Sequence, residues 1–91
     1  MYRVYTIDQI GEDEDEESGF CSPIQGEEKL LVESLSLDEV SKVGYSHWEK
    51  LEMEYFNCMF IRITEVFEAG EKNILRLVYD KEGGLVWQFM D

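Results

Sequence analysis

The stretch from Tyr55 to Met90 constrains the fold of this chain more than any other, because three apolar runs follow one another across short polar breaks. Tyr55 to Phe67 is aromatic and β-branched over much of its length. It stops at Glu68-Ala69-Gly70-Glu71-Lys72-Asn73, where a glycine can supply a positive φ. Ile74 to Tyr79 leads to Asp80-Lys81-Glu82-Gly83-Gly84, and Leu85 to Met90 is the third run. Runs of this composition between Gly/Asn/Asp clusters read as strands, and such short connections make them antiparallel neighbours. The expectation is a three-stranded meander.

The rest of the chain supplies fewer elements. Met1 to Ile10 alternates Tyr2, Val4 and Thr6 against Arg3, Tyr5 and Ile7, and reads as a strand that Gly11 ends. Ser18 to Gly26 holds the single proline, Pro23, and reads as an irregular loop pinned to the body by Phe20, Cys21 and Ile24. Glu27 to Leu35 balances between a strand and a helical turn. The strand is preferred, with Leu31, Glu33 and Leu35 on one face and Leu30 and Val32 on the other.

Ser36-Leu37-Asp38-Glu39 is a capping box, in which Ser36 caps the helix and Glu39 reaches back to it. Leu37, Val40, Gly44, Trp48 and Leu51 then recur every three or four residues and form one apolar stripe. The spacing predicts a helix from Leu37 to about Met53. Gly44, costly in a helix interior, either allows a close approach to the sheet or splits the helix.

These elements add up to an α+β fold: a small antiparallel β-sheet of four or five strands with one amphipathic helix packed on one face. Leu75, Leu77, Tyr79, Leu85, Trp87 and Phe89 fall on one sheet face; Ile74, Val78, Val86 and Met90 fall on the other. Trp48 and Trp87 are expected to be buried near each other between helix and sheet. The second face needs a cover from the 20–24 loop or from another chain, so a homodimer through that face or a sheet edge is one expectation. Residues 1–91 read as a single domain with an exposed acidic loop at 11–19.

Charge narrows the function. Twenty-one Asp and Glu against eight Lys and Arg leave a net charge of −13. Such a chain is repelled by nucleic acid and by anionic membranes, and is attracted to basic protein surfaces. Glu12-Asp13-Glu14-Asp15-Glu16-Glu17 is an unbroken run of carboxylates. Asp13, Asp15 and Glu17 alternate like the first ligands of an EF-hand loop. However, Ser18 stands where the glycine belongs and Ile24 where the bidentate glutamate is needed, so no metal site is expected. Further acids lie on the helix (Glu49, Glu52) and in the last turn (Asp80, Glu82).

No catalytic constellation is visible. His47 is the sole histidine, Cys21 and Cys58 belong to no CxxC pair and read as reduced thiols, and Gly83-Gly84 serves a turn. No leader peptide or membrane-spanning run is read, so the expectation is a cytoplasmic protein without a cofactor. Small size, acidity and missing catalytic motifs together point to a non-catalytic inhibitor. The partner is then a basic nucleic-acid-handling protein, blocked by mimicry of nucleic acid in the manner of phage proteins directed at CRISPR or restriction complexes. An immunity protein or antitoxin plugging a basic toxin, or an acidic oligomeric adaptor, are the alternatives. The partner-binding residues expected are Glu12, Asp13, Glu14, Asp15, Glu16, Glu17, Glu49, Glu52, Asp80 and Glu82.

Overall fold

The computed structural model describes residues 1–14, 16–19, 21–54 and 58–90, with the backbone alone at Cys21, Pro23, Cys58 and Met59. Readings that fall on Asp15, Phe20, Tyr55, Phe56 and Asn57, or on the Cys21 and Cys58 side chains, therefore lie outside the described residues. The element order is β1 (Tyr2–Glu14), β2 (Cys21–Gln25), β3 (Lys29–Ser34), α1 (Leu37–Met53), β4 (Cys58–Phe67), β5 (Gly70–Tyr79) and β6 (Leu85–Phe89). All pairings are antiparallel. The strands form one sheet in the order β2-β1-β4-β5-β6, with β3 also paired to β1. The α+β architecture and the terminal meander are as the sequence predicts; β2 brings the strand count among the described residues to six.

Two sequence expectations need correction. Gly11 does not end the first strand, which continues to Glu14. A register shift falls between Gln9 and Gly11, so the glycine marks an irregularity that leaves Ile10 exposed rather than a turn. Residues 21–25 are not an irregular loop either: they pair with the far half of β1, Glu14 opposite Cys21 and Gly11 opposite Ile24. Pro23 is tolerated there because β2 is an edge strand, where a missing N–H faces no partner strand. Thus β2 and β3 run successively along the same side of β1. The Gly26 amide joins them to it by donating to the Asp8 carbonyl at 2.8 Å.

A third correction concerns β3. Val32 pairs with Val4 but Leu30 with Tyr5, so Leu31 is the extra residue. Leu31 and Val32 both pack against the core, and Leu30 is left 46% exposed on the opposite face.

The helix starts and runs as expected. The Ser36 side chain accepts from the Glu39 amide at 3.2 Å. Glu39 does not close the box on Ser36; it accepts from Ser34 Oγ, which in turn accepts the Ser36 amide. The helix continues through Gly44 without a break because the glycine faces the sheet. A Cβ there would lie 2.9 Å from Trp87 Cη2 and 3.1 Å from Val4 Cγ2. The core joins Val40 and Leu51 of the helix to Val4, Ile61, Ile63, Leu75 and Leu77 of the sheet. Trp48 and Trp87 are half-buried at its margin, and Trp48 stands edge-on to Tyr79 with ring centroids 5.6 Å apart.

The second sheet face is not the apolar surface expected from Ile74, Val78, Val86 and Met90. Arg3 bridges Glu33 (2.9 Å) and Glu71 (3.1 Å), and the Tyr5 hydroxyl donates to Glu71. Arg62 lies over the Tyr5 ring at 4.7 Å, makes a two-pronged pair with Glu28, and donates to Asn73. This charged ladder covers the part of the face built on β1, β3 and β4 with groups that are stable in water.

Candidate functional site

Three residues of one buried strand face set the geometry of the most polar point in the core. Val4, Thr6 and Asp8 alternate toward the helix, and all three are buried. Thr6 donates its hydroxyl to Asp8. His47, in the third turn of α1, places Nε2 3.0 Å from both Asp8 carboxylate oxygens, and Lys29 brings its Nζ to 3.2 Å. Burial pushes the Asp8 carboxyl up, but the hydrogen bonds from Thr6, His47 and Lys29 outweigh it and hold the group below the ordinary carboxylate value.

The sequence showed His47 only as the sole histidine, with no catalytic partner in view, and passed over Asp8. The signal was the strand parity that puts Thr6 and Asp8 on the Val4 face. The cluster's chemistry is that of a clamp: the hydroxyl of Thr6 is spent on Asp8 rather than presented to His47. Among the described residues no group of three or more Cys, His, Asp or Glu is placed to hold a metal ion.

Asp8 also marks where the sheet narrows. Among the described residues the β1–β4 pairing runs from Tyr2–Glu65 to Asp8–Cys58 and ends there. The residues from Gly11 to Glu14 pair with β2 and form with it a two-stranded acidic arm. The six steps from Asp8 to Glu14 span about 20 Å at some 3.3 Å each, along a molecule 50 Å long and 30 Å wide. Glu12, Asp13, Glu14, Glu16 and Glu17 are all exposed on this arm and its turn. No Lys or Arg occurs between Arg3 and Lys29.

The other acids named from the sequence are nearby in register but not equivalent. Tyr79 lies at the Asp8 end of the sheet, so the Asp80–Gly84 loop sits at the base of the arm, two strands across. Asp80 is occupied within that loop: Oδ1 accepts the amides of Glu82 (2.9 Å) and Gly84 (2.8 Å). Glu52 accepts from Trp48 Nε1 at 2.9 Å and from the Tyr79 hydroxyl. Glu49 and Glu82 are exposed. The fold therefore gathers the acids at one end of the molecule, with Asp80 and Glu52 held by internal bonds.

No helix among the described residues is long and apolar enough to cross a membrane. Compared with protein-family models, curated proteins and solved structures, the chain matches none.

Proposed function

We propose that this protein is a non-catalytic blocker that inserts its acidic arm into the basic cleft of a nucleic-acid-handling protein. The observation that carries the reading is the arm itself, a two-stranded element with exposed carboxylates and no Lys or Arg. Successive acids along a strand advance about 3.4 Å per charge, the axial charge spacing of one DNA strand. A cleft lined with Lys and Arg to hold phosphates meets a comparable density of negative charge on Glu12 to Glu14. Glu49 and Glu82, at the arm's base, extend the same potential onto the body. A CRISPR or restriction complex of the kind phage proteins block is the target class this charge distribution fits.

Capture from a host lysate followed by titration of the captured target tests the reading. The expected result is a nucleic-acid-binding protein that is displaced by added DNA or RNA and inhibited one-to-one. Capture of a toxin, with rescue of cells from it, would reassign the protein to the immunity class. Equal capture by a variant with Glu12, Asp13 and Glu14 changed to Gln, Asn and Gln would overturn the role of the arm.

A further inference from the structure

The sheet has two unlike edges. One carries the acidic arm; the other is β6, Leu85-Val86-Trp87-Gln88-Phe89, with no charged side chain and no proline. Natural edge strands are usually blunted by such residues, because an open row of N–H and C=O groups is a template for another strand. Here the edge is also greasy: Phe89 is 82% exposed and Val86 39%.

The bonds at both ends of β6 fix which backbone groups are open. Met90 donates to the Ile74 carbonyl at 2.9 Å, and Asp80 donates to the Gly84 carbonyl at 2.8 Å. With Val78 opposite Val86 and Arg76 opposite Gln88, the even-numbered residues exchange bonds with β5. The N–H and C=O groups of Leu85, Trp87 and Phe89 consequently point away from the sheet.

The geometry points to β6 as a self-pairing edge, at which a second copy of this chain adds its own β6 antiparallel across a two-fold axis at Trp87. That register is self-complementary. Trp87 meets Trp87 of the second copy, and Leu85 meets Phe89 in both directions, so the three outward residues of each strand form six main-chain hydrogen bonds. It also places the exposed Phe89 ring beside Leu85 of the second copy, on the sheet face that carries the helix. An isologous contact of this kind closes as a dimer and leaves no further edge of the same type.

Charge selects the same edge. Two chains of −13 each repel, and pairing through the β2 edge would bring the two acidic arms together, whereas β6 itself carries no acid and is flanked by Asp80 and Glu82 of the loop before it. Pairing through β6 leaves the two β2 edges nine strand spacings apart, about 43 Å at ~4.8 Å each, several times the ~8 Å screening length of physiological salt. Both arms remain free to engage targets, so the dimer presents two blocking arms.

Sedimentation of the purified chain, with no target present, tests this directly. The expected species has twice the 10.7 kDa chain mass and becomes more populated as salt rises, the opposite of the salt effect expected for target binding. Phe89→Lys charges the edge, and Phe89→Pro removes one outward amide without removing a bond to β5; each should restore the monomer, with a thermal midpoint that no longer rises with protein concentration. If the proline variant fails to fold, the lysine variant alone decides. Amide exchange at Leu85, Trp87 and Phe89 should slow with protein concentration in the wild type. A wild type monomeric at every salt and concentration, or a dimer that persists in Phe89→Lys, would overturn the assignment. Protection of these amides only on adding a target would give the edge to the target's strand instead and overturn self-pairing. Loss of target binding by arm variants that still dimerise concerns the arm alone.

Discussion

His47 and Asp8 clasp the helix to the middle of β1: the ring nitrogen Nε2 lies 3.0 Å from each carboxylate oxygen, at a point where Thr6 and Lys29 also converge on the acid. The pair sits where the sheet gives way to the arm, so its integrity sets how firmly the arm is rooted.

Acid should loosen this clasp. The folded Asp8 carboxyl is held below its ordinary value, because hydrogen bonds from its three neighbours outweigh its burial. The unfolded chain therefore takes up that proton at a higher pH than the folded chain does. The stabilisation is complete above the unfolded value, near 3.9 for an aspartate, and is lost as pH falls through the lower folded value. Asp8→Asn should cost about 1–3 kcal/mol at neutral pH, in line with losing charged hydrogen bonds at a buried site. Its thermal midpoint should also fall less steeply than wild type between pH 5 and pH 2. Parallel acid limbs for the two proteins would show that another carboxylate controls acid unfolding.

Gly44 against Trp87 gives a prediction whose sign depends on the background. Alanine favours a helix interior over glycine by about 1 kcal/mol, whereas overpacking a filled site costs roughly 1–3 kcal/mol. A new methyl at 2.9 Å from the Trp87 ring and 3.1 Å from Val4 meets atoms with little room to move. Gly44→Ala is therefore expected to destabilise the wild type. In Trp87→Leu, where the indole is gone, the same change should stabilise. Urea unfolding of the four proteins of this cycle gives the coupling directly.

The sequence carried the helix, its cap and the meander because each depends on neighbours in the chain: Ser36 three residues before Glu39, the Leu37-Val40-Gly44-Trp48-Leu51 spacing, the glycines of the turns. It also placed Leu75, Leu77 and Trp87 on one face, as the structure does, since strand parity is a local property. What it missed depended on partners distant in sequence. Gly11 looked like a stop because only the pairing with Ile24 shows it to lie beside a bulge. Cys21 to Gln25 looked irregular because Pro23 argues against a strand unless that strand is known to be an edge. Arg3, Tyr5 and Arg62 gave no sign of a ladder until Glu71 and Glu28 were brought across the sheet to meet them. The acids were all visible, but not which were already engaged.

That distinction separates Asp80 from Glu82. Asp80→Ala should cost about 1 kcal/mol, since its carboxylate accepts two amides of the β5–β6 loop. Asp80→Asn keeps an acceptor and should restore most of it. Glu82→Gln, at an exposed position, should leave the thermal midpoint within the scatter typical of surface changes, about 0.5 kcal/mol. A midpoint for Asp80→Ala equal to wild type would mean that the loop closes without its carboxylate.

The last prediction concerns how the arm finds its target. Attraction between exposed charges fades beyond about 8 Å at physiological ionic strength, so long-range pull from a net charge of −13 is modest in the cell. Steering must come from carboxylates held close together at one end of the molecule, which are those of the arm, up to about 20 Å along β1 from Asp8. Neutralising Glu12, Asp13 and Glu14 should therefore lower the association rate about tenfold or more at low salt and flatten its dependence on ionic strength. Dissociation should change less, because rim charges act mainly on encounter. Thermal stability should stay equal or rise, since like charges on one strand are removed. Neutralising Glu49 should have a smaller effect on the rate, as it sits behind the arm on the helix. Stopped-flow association with the captured target over a salt series measures each of these slopes. If the arm variant keeps the wild-type salt slope while the Glu49 variant loses it, the target docks on the body instead, and the arm serves only to keep the protein soluble.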